Sequence, residues 1–336
     1  NGGSDWHYPY YLDAVISVQG SECSIVDNII TSSQGPGIVL SSEDWNSLSL
    51  NNHIYENEIC YVTMPIWIRC SKSNIIEDND IHDNGVGLYL RPYNDFQDVN
   101  KPKGKNVIEG NTIYSNECSG IFLETDNNQI INNEIYNNGL WEKSKLTIGI
   151  DGIKVSSKNN DIIGNTVRDN VRNGIYLYYS NNNNIKSNYL KSNKINLLVK
   201  SADNNIIYHN NFVDPDVKNV KLSDGLYDSP EGNVWDDGSE GNYWSDYEDR
   251  YGEIARPDLG SHADFGKAIT WDTNYKIYQE YGYEDYDYNP WINKDGEPKE
   301  IIAKSKQIKS FKTVLIRLLD QFFNLENLFQ RFPILK

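Results

Sequence analysis

Asparagine returns at a fixed spacing along this chain. The segments NDIHDN, NTIYSN, NEIYNN, NTVRDN and NYLKSN begin at Asn79, Asn111, Asn133, Asn165 and Asn188. Neighbouring segments are about 22 or about 32 residues apart, a spacing that indicates a repeat architecture. Asparagine tolerates left-handed backbone, and its amide can bond the local main chain or an amide stacked above it. We therefore expect one asparagine at the same bend of every repeat.

Short apolar segments recur in phase with the asparagines. The segments GIVL, PIWI, GLYL, GIFL, GIKV, GIYL, NLLV and NVKL begin at Gly37, Pro65, Gly87, Gly120, Gly152, Gly174, Asn196 and Asn219. Each alternates an inward aliphatic residue with an outward one, which is typical of strands. A repeat of about 22 residues cannot bury its apolar side alone, so the repeats must stack with their strands parallel. The sequence therefore predicts an all-β fold, a right-handed parallel β-helix.

Composition divides the chain into four regions. Residues 1–24 are predicted to form an N-terminal cap or first turn, and residues 25–223 the β-helix repeats. Residues 224–300 are acidic and rich in Tyr, Trp and Gly, without strand alternation, which predicts an irregular cap that closes the repeat core. Residues 301–336 carry apolar side chains at helical spacing with Lys and Arg opposite them, which predicts a short C-terminal amphipathic helix.

Charge and the chain ends give expectations about partners and location. The net charge of −17 repels phosphate backbones, so nucleic acid is not expected as a partner. The predicted helix at 309–332 is too short and too charged to span a bilayer. It folds back on the repeats, docks on another subunit or lies on a membrane surface, and we predict self-association through it and the solenoid ends. The chain starts at Asn1 without Met, as a processed protein does, so we expect a secreted, extracellular or cell-surface location.

Cysteine and acidic residues leave two questions open. The four cysteines have no CxxC spacing and fall at different phases of the repeat: Cys23, Cys60, Cys70 and Cys118. They are interpreted as buried thiols, with one or two disulfides as the alternative in an oxidising compartment. The stretch around Asp236, Asp237 and Asp246 is a candidate calcium site because carboxylate oxygens suit Ca²⁺, and a solvated acidic surface is the alternative.

A row of aromatic residues marks one strand face as a candidate binding surface. Two insertions, RPYNDFQDVNKPKGK and GLWEKSKLTIG, border the glycine-led strand, and insertions on one face of a solenoid usually mark its binding side. The outward residues predicted to bind sugar rings on that face are Trp67, Arg69, Tyr89, Phe122, Tyr176 and Tyr178. The alternative is that the insertions cover these aromatics, which then widen the core.

Charged residues near the same face are candidates for catalysis. Lyases and epimerases of acidic polysaccharides need a base, an acid and a positive charge that neutralises the uronate. The candidate residues are Asp151, Lys154, Glu124 and Arg91. The paired-Asp and Gly-His-Gly blocks of polygalacturonase-type hydrolases, the DPH block of mannuronan epimerases and the Arg-X-Pro-X-X-Arg block of pectate lyases do not occur in the sequence.

The carboxyl-terminal part carries a family resemblance. The asparagine- and glycine-phased turns, followed by NVWDDGSEGNYWSDY and YDYNPW, resemble the NosD-like family of parallel β-helix repeat proteins. The resemblance implies a β-helix that is exported or sits on a prokaryotic cell surface. Its founding member assists copper-site assembly in the periplasm, which would require clustered soft or imidazole ligands. This chain has one methionine, Met64, and five histidines scattered along the sequence: His7, His53, His82, His209 and His262.

Two hypotheses follow from the sequence. The first is a secreted β-helix that is structural or self-assembling and binds glycans through its aromatic face. The second is a polysaccharide lyase, epimerase or hydrolase that acts on acidic glycans at the same face.

Overall fold

The computed structural model describes most of the chain up to Asp246 and four short strands beyond it. Fully described are residues 14–41, 49–91, 104–140, 149–223, 230, 232–237 and 241–246. Of residues 269–292 only the backbone of four strands is described.

The chain winds through three parallel sheets, contributing one strand to each sheet per turn. Sheet A contains β1 (Ile16–Val18), β4 (Ile38–Ser41), β7 (Ile66–Arg69), β10 (Leu88–Leu90), β13 (Ile121–Leu123), β16 (Ile153–Val155), β19 (Asn173–Tyr178), β22 (Ile195–Lys200) and β25 (Lys218–Ser223). Sheet B contains β2 (Ser24–Val26), β5 (His53–Tyr55), β8 (Ile75–Glu77), β11 (Val107–Glu109), β14 (Gln129–Ile131), β17 (Asp161–Ile163), β20 (Asn184–Lys186) and β23 (Ile206–Tyr208). Sheet C contains β3 (Ile29–Ser33), β6 (Glu58–Val62), β9 (Asp80–His82), β12 (Thr112–Tyr114), β15 (Glu134–Tyr136), β18 (Thr166–Arg168), β21 (Tyr189–Lys191), β24 (Asn211–Val213) and β26 (Tyr243–Trp244).

Two antiparallel pairs of strands follow the β-helix in the sequence. They are β27 (Ile269–Thr270) with β30 (Trp291–Ile292), and β28 (Tyr275–Ile277) with β29 (Asp285–Asp287). The predicted fold class is thus confirmed as a right-handed parallel β-helix, while the predicted C-terminal helix at 309–332 lies outside the described residues. No helix long and apolar enough to cross a membrane occurs in the described part of the chain.

Columns of buried, mostly aliphatic side chains fill the inside of the three sheets. In sheet B the middle residue of every strand is a buried isoleucine, stacked in register on the one before: Ile25, Ile54, Ile76, Ile108, Ile130, Ile162, Ile185 and Ile207. β-Branched side chains suit a pleated, packed surface, and burying each one stabilises the fold by about 1.5–3 kcal/mol. Each turn therefore shares its core with the turns on either side.

Asparagines form buried ladders at the bends between the sheets. The ladder between sheets A and B holds Asn52, Asn74, Asn106, Asn128, Asn160, Asn183, Asn205 and Asn233. The ladder between sheets B and C holds Asn28, Asn57, Asn79, Asn111, Asn133, Asn165, Asn188, Asn210 and Asn242. All five asparagines that first indicated the repeat lie in this second ladder, which confirms the prediction of one asparagine per bend.

Asn133 illustrates how a ladder amide is satisfied. Its Oδ1 accepts hydrogen bonds from the backbone N and the Nδ2 of Asn111, both at 3.0 Å. Its Nδ2 donates to Asn165 Oδ1 at 3.0 Å and to the carbonyl oxygens of Ile108 at 2.9 Å and Ile131 at 3.1 Å. A buried amide is favourable only when its donors and acceptors are paired in this way.

The role of asparagine at the bend differs from the expectation in one respect. The residue with left-handed backbone is the one before the ladder asparagine, such as Asp78 (φ 52°) before Asn79 and Ser187 (φ 57°) before Asn188. The asparagine is therefore selected for the hydrogen bonds of its amide and not for left-handed geometry.

The glycine that begins many sheet A strands is required by close packing. A β-carbon at Gly120 would lie 2.8 Å from the carbonyl oxygen of Gly152 in the next turn and 2.9 Å from Asn138 Nδ2. Any larger residue would push the neighbouring turns apart.

The β-helix continues one turn past the predicted boundary at residue 223. Asn233 and Asn242 extend both ladders, and β26 pairs with β24. Trp235 and Trp244 are buried in the core, and the Trp244 ring stacks on Phe212 with centroids 4.5 Å apart. Residues 233–237 and 241–246, the described parts of the NVWDDG and GNYWSDY segments, therefore belong to a further turn whose tryptophans extend the aliphatic core.

All four cysteines are free thiols in the structure. Cys60, Cys70 and Cys118 are buried and Cys23 is half-buried, in agreement with the interpretation as buried thiols rather than disulfides.

Candidate functional site

The outward residues of sheet A form one continuous column along the solenoid. Strand register stacks them directly, and we call them the outer column: Val39, Trp67, Tyr89, Phe122, Lys154, Tyr176, Leu198 and Lys221. This register is the one predicted from the sequence. The two halves of the column differ in what surrounds them.

The first half of the outer column is buried, which corrects the prediction of an exposed aromatic row. Only 3% of Trp67 and 1% of Tyr89 and of Phe122 are exposed. The rings stack in sequence, with centroids 6.3 Å apart for Trp67 and Tyr89 and 5.4 Å for Tyr89 and Phe122. Arg69, also predicted to bind sugar, is buried as well.

A second apolar cluster explains this burial. The column of Met64, Val86 and Cys118 packs beside the aromatic rings and forms a small core outside sheet A. Alternation in sequence assigns a side chain to one face of a strand, but it does not show whether that face meets solvent or another packed layer. The alternative that these aromatics widen the core therefore agrees with the structure.

In the second half of the outer column Tyr176 and Lys221 are half-buried, whereas Lys154 and Leu198 are buried. The rings of Tyr176 and Tyr178 lie 5.6 Å apart and those of Tyr178 and Tyr179 lie 4.6 Å apart. Lys154 Nζ is 5.7 Å and Lys200 Nζ is 5.9 Å from the centroid of the Tyr178 ring. We call these five residues the tyrosine–lysine patch. Tyr176 and Tyr178 are thus brought together as predicted substrate-binding residues.

Asp151 lies fully buried at the edge of this patch. Its Oδ1 accepts a hydrogen bond from Asn173 Nδ2 at 2.6 Å, and its backbone N donates to Ser119 Oγ at 3.1 Å. Among the described residues its Oδ2 has no hydrogen-bond partner. A buried carboxylate oxygen without a partner is unfavourable for folding, and such atoms occur preferentially where a site has a function.

Gly149 closes over Asp151 and Lys154 at once. A β-carbon at this position would lie 2.7 Å from Asp151 Oδ2 and 3.1 Å from Lys154 Cδ. The backbone of Gly149 has φ +84°, which side-chain-bearing residues rarely adopt. The Asp151 carboxylate and the Lys154 side chain therefore both lie close to Gly149. Only glycine fits there, because a β-carbon would collide with both and the backbone has a positive φ.

Burial brings the pKa values of Asp151 and Lys154 closer together. Burial raises the pKa of Asp151, and the hydrogen bond from Asn173 and the charges of Arg172 and Lys154 only partly oppose it. Burial lowers the pKa of Lys154, against the opposing charges of Asp151 and Glu124. Burial, followed by the charge of Asp151, also raises the pKa of Tyr176. Such opposed shifts are common where groups exchange protons near neutral pH.

Arg91 and Glu124 form an ion pair on the other side of Lys154. Arg91 Nε lies 2.8 Å from Glu124 Oε2, and Arg91 Nη1 donates to the Tyr89 hydroxyl at 2.9 Å. Both charges act on Lys154, Glu124 raising and Arg91 lowering its pKa. The four predicted catalytic candidates are therefore neighbours in the structure, with Arg91 and Glu124 at the accessible rim and Asp151 and Lys154 behind them.

Three residues of this cluster were missed in the sequence. Ser119 and Asn173 contact Asp151, and Arg172 acts on both Asp151 and Lys154 by its charge. The signal for two of them is positional, since Ser119, Asp151 and Asn173 each come directly before the glycine that begins a sheet A strand.

The predicted calcium ligands have other partners in the structure. Asp246 Oδ1 accepts from Asn219 Nδ2 at 2.7 Å, and Asp237 Oδ2 lies 3.3 Å from His209 Nε2. In the described residues these aspartates and Asp236 do not form a group of converging ligand atoms. Calcium binding there stays a prediction.

Comparison with known proteins places the chain among β-helix proteins. Residues 99–249 match the family model described as periplasmic copper-binding protein (NosD), and residues 12–148 match the model described as right handed beta helix region. A search of curated protein sequences finds no significant match.

Solved structures with a similar fold act on alginate. The A-module of the Azotobacter vinelandii mannuronan C-5 epimerase AlgE6 is 18% identical with a TM-score of 0.51, over 68% of this chain and 65% of that one. The periplasmic alginate epimerase AlgG is 18% identical with a TM-score of 0.43, over 63% of this chain and 50% of that one. The chain therefore spans less than two thirds of either protein. At these identities the likeness shows the fold alone.

Fold and outer face together define a right-handed parallel β-helix repeat protein with a polar cluster on sheet A. Within that class, residues 99–249 are similar to the NosD family, and the chain carries the NVWDDG and NYWSDY segments on which that resemblance rests.

Proposed function

We propose that this chain is an exported β-helix protein that binds acidic polysaccharide through the tyrosine–lysine patch. The observation that carries the proposal is the convergence of three tyrosine rings with two lysine ammonium groups on one partly exposed face. Tyrosine rings present flat apolar surface to sugar rings, and the lysines supply the charge that a uronate carboxylate requires.

The position of the two lysines favours an anionic sugar. Lys154 and Lys200 approach the same Tyr178 ring, so a uronate stacked on that ring would meet both ammonium groups. The chain as a whole carries −17, so its general field repels polyanions. Binding of an acidic glycan must therefore depend on this local cluster and not on the overall charge.

Export is supported by the family. The matched model is described as periplasmic, and a similar fold occurs in the periplasmic AlgG. We infer that this chain also functions outside the cytoplasm, at the cell surface or beyond it, where polysaccharide is found.

Binding is tested with the purified full chain and defined polymers. We expect polymannuronate or polygalacturonate to bind in calorimetry or affinity electrophoresis, and a neutral polymer such as dextran not to bind. Tyr178→Ala and Lys200→Ala should each weaken binding about tenfold, which corresponds to about 1.4 kcal/mol. Added salt should weaken binding, because partly exposed charges are screened.

Sheet C offers a matched control for these variants. Arg168 lies over the Tyr136 ring at 4.2 Å, which is also a cationic side chain over a tyrosine ring but on another face. Tyr136→Ala and Arg168→Ala should leave affinity unchanged. Equal losses from both faces, or equal binding of the neutral polymer, would contradict the proposal.

The Asp151–Lys154 pair favours a second candidate function, proton transfer on the bound uronate. Abstraction of the C5 proton leaves a carbanion next to the carboxylate, which a nearby cation such as Arg91 stabilises. Donation of a proton to the opposite face by a second group gives the epimer, and departure of the 4-O-linked sugar, whose oxygen takes up a proton, gives an unsaturated uronate. The supporting observation is a buried acid and a buried base whose pKa values are shifted toward each other.

Solvent deuterium distinguishes binding from chemistry. An enzyme of either type incorporates deuterium at C5 of polymannuronate in D₂O or releases unsaturated ends that absorb in the ultraviolet. Asp151→Asn and Lys154→Ala should abolish either product while Lys200→Ala only weakens substrate affinity. Binding without exchange or cleavage across a panel of uronate polymers leaves the chain a binding protein.

Self-association through residues 309–332 and the solenoid ends stays a separate prediction. It is tested by sedimentation of the full chain and of a chain that ends before residue 309. Equal monomeric behaviour of both at high concentration would exclude it.

A further inference from the structure

Three side chains with different ligand chemistry converge on the outer face of sheet C. Glu58 and Cys60 point outward from β6, two residues apart, and His82 on β9 is the direct register partner of Cys60. One ligand atom from each lies within 4.8 Å of the others, and His82 Nε2 is 3.7 Å from Glu58 Oε1. Other described residues of the chain form no such group.

The imidazole of His82 is held in the orientation a metal ligand needs. Its Nδ1 lies 2.8 Å from Asp83 Oδ2, so the carboxylate accepts the Nδ1 proton and leaves the Nε2 lone pair directed at Glu58 and Cys60. Its ring stacks on Tyr114 with centroids 4.9 Å apart. A carboxylate that fixes the tautomer and a packed ring are typical of histidines that bind metal ions.

The local field and the accessibility also suit a cation. The carboxylate oxygens of Asp83 and Glu58 lie 2.8 Å and 3.7 Å from the two ring nitrogens of His82. Negative charge thus accumulates around His82. The Glu58 side chain is 49% exposed, so an ion can reach the site from solvent.

We propose that Glu58, Cys60 and His82 form a site for a borderline divalent ion of the Zn²⁺ class. Thiolate, imidazole and one carboxylate suit Zn²⁺ better than Ca²⁺ or Mg²⁺, which prefer oxygen ligands alone. Zinc holds its ligands at about 2.0–2.3 Å, so donors around one ion lie about 3.3–4 Å apart. The exposed Glu58 side chain has the freedom to close the remaining gap, and water completes the coordination.

The site is independent of the function proposed for sheet A. All three residues precede residue 99, where the match to the NosD family model begins, so that match does not assign them. Strand register places His82 beside Cys60, which the positions of the histidines in the sequence alone do not reveal.

Cobalt provides a direct test on the untagged, reduced full chain from which metal has been removed. We expect Co²⁺ to give a thiolate-to-cobalt charge-transfer absorption at one equivalent, and Zn²⁺ to displace it. Cys60→Ser should abolish the absorption. His82→Gln should weaken metal affinity at least tenfold, and Asp83→Asn about tenfold through loss of the ring orientation.

Two matched variants control for nonspecific binding. Cys23→Ser removes the half-buried thiol, and His53→Gln removes a histidine that pairs with Glu77 at 2.9 Å and is not part of the cluster around Cys60. Both should retain the absorption. Absence of the absorption from the unmodified chain, or its persistence in Cys60→Ser, would overturn the proposal.

A measurement on the unmodified chain covers the case in which a variant does not fold. Zinc should slow alkylation of Cys60 at least tenfold and leave alkylation of Cys23 unchanged, as followed by peptide mass spectrometry. Equal rates at Cys60 with and without zinc would also overturn the proposal.

Discussion

The asparagine ladders and the outer column of sheet A follow opposite rules. Along a ladder every turn places the same residue at the same bend, and each amide bonds the next across sequence gaps of 22 to 32 residues. Along the outer column almost every turn places a different residue, from Trp67 to Lys154 to Leu198. The ladder maintains the stacking of the turns, so the column is free to vary along the solenoid.

The residues of the outer column change along the solenoid, and its two halves differ in their surroundings. Its aromatic half packs into a second apolar cluster, whereas its polar half gathers Lys154, Tyr176 and the buried Asp151. The residues that repeat in every turn therefore determine the fold, and positions where a turn departs from the repeat are candidates for a functional site.

Phe122→Ala should have the greatest effect on stability. The side chain is buried between Tyr89 and Lys154 Nζ, which lies 4.6 Å from the ring, and truncating a buried Phe costs about 3–5 kcal/mol. Tyr176→Ala, in the same column but partly exposed, should cost well under half of that. Thermal and urea denaturation followed by circular dichroism measure both variants. Equal losses would remove the distinction between the two halves.

Asn133→Ala should cost about 3 kcal/mol. It removes the acceptor of the Asn111 backbone N–H and amide and a donor to the carbonyls of Ile108 and Ile131 inside the solenoid. Asn28→Ala, at the first and more exposed position of the same ladder, should cost about 1 kcal/mol. Denaturation midpoints compare the two directly, and a smaller loss at Asn133 would show that the ladder does not hold the turns together.

Gly149→Ala should cost about 1–2 kcal/mol and also weaken binding of acidic glycan. The left-handed backbone disfavours alanine, and the added methyl would press on Asp151 Oδ2 and Lys154 Cδ. Gly232→Ala has a similar φ of +66° far from the patch and serves as the control for backbone strain. Unchanged glycan affinity in Gly149→Ala would indicate that the Asp151 pocket does not shape the patch.

Asp151→Asn should make stability less dependent on pH. Burial raises the folded pKa of Asp151, so the folded state holds its proton more tightly than the unfolded state. The associated stability is fully present below the unfolded pKa and is lost as pH rises from that value through the folded pKa. The variant avoids this loss, so the two proteins should be equally stable near pH 3 and the variant should be the more stable at pH 7.

Melting curves of the two proteins between these pH values measure that advantage. If Asp151→Asn is less stable than the unmodified chain at pH 7 and equal to it at pH 3, the carboxylate stabilises the fold as an ion and the assignment of its role must change.

The fold could be predicted because its determinants repeat. Asn79 to Asn188 and the glycine-led strands appear at nearly constant spacing, and only stacked parallel strands satisfy both patterns. Burial of Trp67 and Phe122 could not be predicted, because it depends on packing outside the repeat. The predicted end of the β-helix at residue 223 lies one turn too early, because in the next turn Trp235 and Trp244 replace the aliphatic residues that indicate a strand.

The candidate sites could be predicted only in part. Asp151, Lys154, Glu124 and Arg91 were found because charged residues interrupt an apolar column. Cys60 and His82 were missed although the segments EIC and DIH occupy equivalent positions one turn apart. Aligning every turn before searching for ligand residues would have placed these two side chains together.

Turns of unequal length have a consequence for how such proteins diversify. Asn74 reaches Asn106 across 32 residues with the same amide geometry, 2.8 Å, that Asn106 uses to reach Asn128 at 2.9 Å across 22. The hydrogen bond between two ladder asparagines therefore does not depend on the length of the loop that separates them in sequence. A lineage can therefore lengthen, shorten or exchange a single excursion and acquire a new specificity, while the scaffold beneath it is inherited unaltered.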